Sequence, residues 1–311
     1  MEEPPETNPV IDAGDQLDSF KEPMHVAAIK GDVEAIVALE NSGVDVNELE
    51  NGQTPLHLAI IKGKTHAARK LITLGADLSK MNKDGYAALH LAAIYDRVPI
   101  IEDLINIGID SDVDILDRNG NTALHTAVLR DNADAVCKLL DGQADPDMLN
   151  AEGNAPLHIA VLRDNADLVC KLLDGGVDPD LLNAEGKAPL HIAVEEEKFD
   201  VVSELLGARA DADLLNDEGN APLHIAILKD NVDIVRELLD EGADADLLND
   251  EGNAPLHIAI LKDNVDIVRE LLDEGADAEL LNAEGNSPMR MAINEGNLDM
   301  ISEISVYVEE N

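Results

Sequence analysis

The segment NDEGNAPLHIAILKDNVDIVRELLDEGADADLL, residues 216–248, is followed at 249–281 by a copy with one change, Glu279 in place of Asp246. Within it, Gly219 supplies a turn, because a residue without Cβ reaches left-handed dihedrals without steric cost. Pro222 then opens a helix at the position where its missing N–H is not needed. Leu223, Ile225, Ala226 and Ile227 make that helix short and apolar, and it ends near Lys229. Asp230 and Asn231 form the reversal, both being residue types that tolerate left-handed backbone. Val232, Ile234, Val235, Leu238 and Leu239 recur with a period near 3.6, which predicts a second helix. Gly242 stops it.

The same phrase returns along almost the whole chain, marked by His25, His57, His90, His125, His158, His191, His224 and His257. A ninth copy at Pro288 carries Arg290 in the histidine position. The interval is 33 residues except between His25 and His57, where it is 32, and between His90 and His125, where the stretch IGIDSDVDILDRNG holds two extra residues and predicts an atypical finger. A fixed period of this size means a solenoid, in which one small unit buries its apolar face only when a neighbour stacks on it.

The unit resembles the ankyrin repeat, whose consensus runs DxxGxTPLHxAxxxGHxxxVxxLLxxGADVN. The resemblance covers residues 17–311 in nine copies, the first and last acting as caps. It implies an all-α repeat solenoid of helix-turn-helix units with β-hairpin fingers, forming a curved elongated rod whose concave side is lined by inner helices and fingers. Residues 1–16, acidic and proline-containing, read as an N-terminal tail. Two departures stand out. Ala155, Ala188, Ala221 and Ala254 replace the Thr that would cap the inner helix, whereas Thr54, Thr122 and Ser287 keep a hydroxyl there; losing such a cap costs about 1 kcal/mol. Between the helices Gly31, Gly63 and Gly296 keep glycine, but Asp131, Asp164, Asp230 and Asp263 replace it.

Composition narrows the function. Aromatic residues make up 2% of the chain and Trp is absent, so packing rests on aliphatic side chains. The net charge of -43 keeps such an array soluble and repels anionic surfaces, which argues against direct binding of nucleic acid or membrane. The opening MEEPPETNPV lacks the basic start and apolar core of a signal peptide. Cys137 and Cys170 hold equivalent places in successive repeats. Stacked helices lie roughly 8–10 Å apart, beyond the about 7 Å a disulfide tolerates, so two free thiols and a cytoplasmic location, or a nuclear one in a nucleated cell, are expected. The capped ends predict a monomer.

The sequence predicts no catalytic residues, metal or cofactor. One histidine per repeat, about 10 Å from the next, leaves no set that ligates one ion, and HExxH, GxSxG and GxxxxGK[ST] are absent. In the resembled family this histidine is structural, hydrogen-bonded to backbone between repeats. Finger acids such as Asp244, Asp246, Asn249 and Glu251, or Asp178, Asp180, Asn183 and Glu185, lack the Gly and Glu spacing of a calcium loop and suit turn-holding instead.

The functional reading therefore falls on surface. At the end of the inner helix one position is repeatedly apolar, at Ile29, Ile61, Ile94, Leu129, Leu162, Leu228 and Leu261, with Glu195 and Asn294 as exceptions. A finger row adds Leu149, Leu182, Leu215, Leu248 and Leu281. Such rows either mark a binding surface or pack on one another and offset the weak caps. Beside the first row run Lys30, Lys62, Arg130, Arg163, Lys229 and Lys262, cations that the helix C-terminus favours and that pair on paper with finger acids such as Glu218 and Glu251. The third repeat breaks the pattern with Tyr86 and Tyr95, and tyrosine is enriched at binding hot spots. The sixth breaks it with Lys187, Glu195, Glu196 and Phe199, the last expected to be buried. The resulting expectation is a non-catalytic module that grips a basic protein on its concave face. An acidic mimic of nucleic acid, or a scaffold adapted to high salt without charge preference, stands beside it.

Overall fold

The computed structural model describes residues 20–107 and 113–310. The tail expected at 1–16, and residues 108–112 of the lengthened finger, lie outside them. The helices group into two compact units, one running through Asp145 and one beginning at Pro146. The first holds α1 (Pro23–Lys30), α2 (Val33–Asn41), α3 (Pro55–Ile61), α4 (Thr65–Thr73), α5 (Ala88–Ile94), α6 (Val98–Asn106), α7 (Ala123–Leu129) and α8 (Ala133–Asp141). The second holds α9 (Pro156–Leu162), α10 (Ala166–Asp174), α11 (Pro189–Glu195), α12 (Phe199–Gly207), α13 (Pro222–Leu228), α14 (Val232–Asp240), α15 (Pro255–Leu261), α16 (Val265–Asp273), α17 (Pro288–Glu295) and α18 (Leu298–Glu310).

Odd-numbered helices are the short inner ones and even-numbered helices the outer ones. Inner packs on inner and outer on outer in series: α1 on α3, α5 and α7, α2 on α4, α6 and α8, and likewise within the second unit. A helix of seven residues is too short to persist alone in water, so each forms only because its neighbours bury it. In the type repeat Leu223, Ala226 and Ile227 from α13 and Ile234, Val235, Leu238 and Leu239 from α14 are all buried. Truncating a side chain such as Leu238, wholly inaccessible to solvent, to Ala costs about 2–5 kcal/mol.

The reversal between helices uses left-handed backbone at Gly31, Gly63 and Gly296 and equally at Asp131, Asp164, Asp230 and Asp263. Asn231 does something else than the sequence suggests. Its φ is -99°, and its side chain caps α14 by accepting the Ile234 N–H, so one residue turns the chain and the next starts the helix. The fingers also differ from the expected hairpins: among the described residues no strand forms, and the one bridge pairs Glu50 with Gln53.

Candidate functional surface

The histidines belong to the scaffold. Thr54 N–H donates to His57 Nδ1 at 3.1 Å, and His57 Nε2 donates to the Lys80 carbonyl of the next finger at 2.8 Å. A ring that accepts at Nδ1 and donates from Nε2 is neutral, and burial pushes the His57 pKa down to about 4. His158, His191, His224 and His257 repeat the arrangement, each accepting from an alanine N–H at its own helix N-terminus and donating to a carbonyl one repeat on. In the Thr-capped repeats the hydroxyl completes the reciprocal pair by accepting the His57 and His125 N–H groups. In the Ala-capped repeats that second bond has no acceptor. Among the described residues no group of His, Cys, Asp and Glu is placed to hold a metal ion.

The finger acids are likewise occupied by structure. Asp178, Asp211 and Asp244 each hold their own turn by accepting the N–H two residues on. Asp147, Asp180, Asp213 and Asp246 accept the N–H of the following finger at Asp178, Asp211, Asp244 and Asp277, over 2.8–3.2 Å. Burial raises the Asp180 pKa despite this bond. The backbone adds a third stitch, with Asp250 N–H donating to the Gly219 carbonyl. A Cβ added at Gly219 would fall 2.2 Å from the Asp250 side chain, which explains glycine at that crossing.

Against this closed scaffold the apolar rows stay open. In the second unit Leu162, Leu228 and Leu261 are 47%, 45% and 57% exposed, and Leu149, Leu182, Leu248 and Leu281 are also exposed, with Leu215 half-buried. In the first unit Leu129 is exposed, Ile94 half-buried and Ile61 buried. The finger row also begins earlier than the sequence reading placed it. Met81 and Leu116 precede Asn82 and Asp117 as Leu149 precedes Asn150, and both are exposed. Their register against the histidines was the available signal.

Charged neighbours sort by repeat. Lys229 and Lys262 are exposed and make no ion pair with Glu218 or Glu251 among the described residues. Arg130 is half-buried and Arg163 exposed. In the sixth repeat Lys187 Nζ pairs with Glu195 Oε2, so a finger residue covers the end of an inner helix. Tyr86 and Tyr95 are half-buried, and burial raises both phenol pKa values. The charges of Arg130 and Asp84 act on both phenols, in opposite directions. The Arg97 guanidinium stands 6.0 Å from the Tyr95 ring centroid while donating to the Ile60 and Ile61 carbonyls. Phe199 corrects an expectation. It is 43% exposed, because the first residue of an outer helix sits at the rim, where the smaller Val232 and Val265 are also only half-buried.

Cys137 and Cys170 are free thiols. Among the described residues no helix is long and apolar enough to cross a membrane. A family model described as ankyrin repeats (3 copies) matches residues 24–114, 157–247 and 231–305, and a second, ankyrin repeats (many copies), matches 104–160. Among solved structures the chain is similar to the ankyrin repeat domain of Bcl-3, described as a unique member of the IkappaB protein family. The identity is 28% and the TM-score 0.65, over 72% of this chain and 100% of that one. No curated protein matches.

Proposed function

Since the chain belongs to the ankyrin repeat family, we propose that it is a non-catalytic protein-interaction module whose contact surface is the face made by inner-helix ends and fingers. Ankyrin repeats are generally protein–protein interaction modules. The observation that carries the reading is the exposure of Leu162, Leu228 and Leu261 beside Leu248 and Leu281, in repeats whose inner helices otherwise bury every apolar side chain. Contiguous exposed apolar side chains on a soluble fold mark interaction sites. In the first unit Tyr86, Ile94, Tyr95 and Leu129 form the corresponding contact set.

Charge refines the partner of the second unit. From residue 146 onward 39 acidic residues face ten basic ones, and Glu218 and Glu251 stand exposed at the fingers. Complementary potential speeds encounter and rejects acidic competitors, which favours a basic protein gripped along the concave side that the family implies. Free thiols suit the cytoplasm or nucleus, and the chain acts as a monomer. The decisive experiment captures a partner from the native cell and repeats the capture with Leu228→Ser and Leu261→Ser. Loss of the partner, with unfolding midpoints unchanged, supports this surface; undiminished capture refutes it. Displacement of the captured protein by DNA would instead favour the nucleic-acid mimic.

A further inference from the structure

The outer helices carry a feature that the surface of inner-helix ends and fingers does not explain. Phe199, the first residue of α12, is 43% exposed, and the same position in the next two repeats holds Val232 and Val265. Its ring forms one wall of a surface depression of about 220 Å³, and the rest of the lining comes from α14: Asp233, Arg236, Glu237 and Asp240. These four stand at i, i+3, i+4 and i+7, which is one face of a helix. The depression therefore sets a phenyl ring against a charged stripe.

The one cation of the lining is already engaged. Arg236 donates to Glu270 of the following repeat and lies 3.7 Å from Asp233. Lys198, the neighbour of Phe199, donates to the Leu162 carbonyl of the preceding repeat, and among the described residues no cation stands over the phenyl ring. Glu237 accepts the Ser203 hydroxyl through one oxygen, and Asp233 and Asp240 are exposed. Three carboxylates against one engaged guanidinium leave the depression negative, beside an aromatic ring open to water. A ring face attracts a cation. Guanidinium suits the place better than ammonium, being planar, weakly hydrated and able to bond carboxylate while stacked on a ring. The next repeat supplies the contrast. Asp266, Arg269, Glu270 and Asp273 reproduce the stripe, and Arg269 pairs with Glu303 and Asp266 as Arg236 does with Glu270 and Asp233. In the ring's place, however, stands Val232. The ring, not the charge, is what this one step of the array has to itself.

We propose that the depression between α12 and α14 receives an arginine side chain of a basic protein partner, its guanidinium on the Phe199 ring and facing the Asp233 and Asp240 carboxylates. The site lies on the outer-helix layer, apart from the rows at Leu228 and Leu261. It stands on the ring and the stripe alone and does not depend on the inner-helix contact.

The chain holds two phenylalanines, so labelling the full chain with 4-fluorophenylalanine gives two fluorine resonances, and the one missing from Phe199→Val belongs to Phe199. The probes are Gly/Ser peptides of one length that carry arginine, lysine or citrulline, the uncharged isostere of arginine, at the same positions. The arginine peptide should shift the Phe199 resonance saturably, the lysine peptide should bind about two- to fivefold more weakly, and the citrulline peptide should leave the resonance in place. By anisotropy of a dye-labelled arginine peptide, Phe199→Val should also lower affinity about two- to fivefold. Asp233→Asn with Asp240→Asn should lower it at least as far. Asp266→Asn with Asp273→Asn, the same loss of charge one repeat on, should leave it close to that of the unaltered chain. If Asp233→Asn lowers the unfolding midpoint, Asp240→Asn alone is compared with Asp273→Asn. Equal losses from the two positions would mean that the acid of the whole unit holds the peptide, and would overturn the proposal. An unmoved Phe199 resonance, or equal affinity for the arginine and lysine peptides, would overturn it too. Leu228→Ser with Leu261→Ser should bind the arginine peptide normally, so failure of the inner-helix surface and failure of this site are read separately.

Discussion

Lys187 Nζ lies 2.6 Å from Glu195 Oε2, joining the residue after a finger glycine to the last residue of α11. Neighbouring repeats place Asn and Leu at these two positions, as in Asn220 and Leu228. The sixth repeat therefore exchanges an exposed apolar contact for an ion pair. Burial disfavours the ammonium, but the hydrogen bond and charge of Glu195 outweigh it and raise the Lys187 pKa. Lys187→Ala should lower stability by about 1 kcal/mol, and a double-mutant cycle with Glu195→Leu should return a coupling of about 0.5–1 kcal/mol. Urea titrations of the four proteins measure it; additive changes would mean that the pair contributes no coupling.

Acid should unfold the array partly through its histidines. The His57 pKa falls from 6.5 in the open chain to about 4 in the fold, and burial lowers those of His90, His158, His191, His224 and His257 as well. The unfolded state then binds more protons than the native one below pH 6.5, so this stabilisation is complete above that pH and fades as pH falls toward 4. For His57 the full loss is about 3 kcal/mol. His57→Asn should cost about 1–3 kcal/mol at pH 7.5 and flatten the slope of stability against pH between 6.5 and 4. Parallel slopes for the two proteins would exclude this account.

Restoring the missing caps should stabilise. Thr54 and Thr122 occupy the N-cap position almost wholly buried, as do Ala221 and Ala254, so the scaffold accommodates the larger side chain in sister repeats. Ala221→Thr and Ala254→Thr should each add about 0.5–1 kcal/mol by accepting the N–H of His224 and His257. Chemical denaturation of the single and double variants is the check, and a lower midpoint would show that these sites no longer fit a hydroxyl.

Phe199→Val should cost less than about 1 kcal/mol, since much of the ring is already in water, whereas Leu206→Ala on the same helix, at 6% exposure, should cost about 2–5 kcal/mol. Thermal melts of the two variants compare them directly. Equal losses would mean that Phe199 is buried in solution.

Most of the fold was legible because it depends on short-range punctuation. Pro222 and Gly242 bracket two helices whose apolar spacing names their buried faces, and the repeat copies that reading nine times. What escaped was governed by partners a repeat away. The fingers read as hairpins, yet carboxylates such as Asp213, reaching to the Asp244 N–H, do the work of a strand ladder. Phe199 read as core on its hydrophobicity alone, whereas its rim position decides its exposure. The rows at Leu162 and Leu228 were visible as pattern, but only burial distinguishes an open stripe from one packed away.

The His257 imidazole depends on the Asn286 carbonyl of its successor, while the Asp277 N–H depends on the Asp246 carboxylate of its predecessor. Shortening the array from either side therefore strands a different group: an amide at a new front, a ring nitrogen at a new rear. A designer who trims or splices these modules must mend the two cuts differently, giving the new rear module an arginine where its imidazole stood. The exposed Arg290 already occupies that place in the ninth copy.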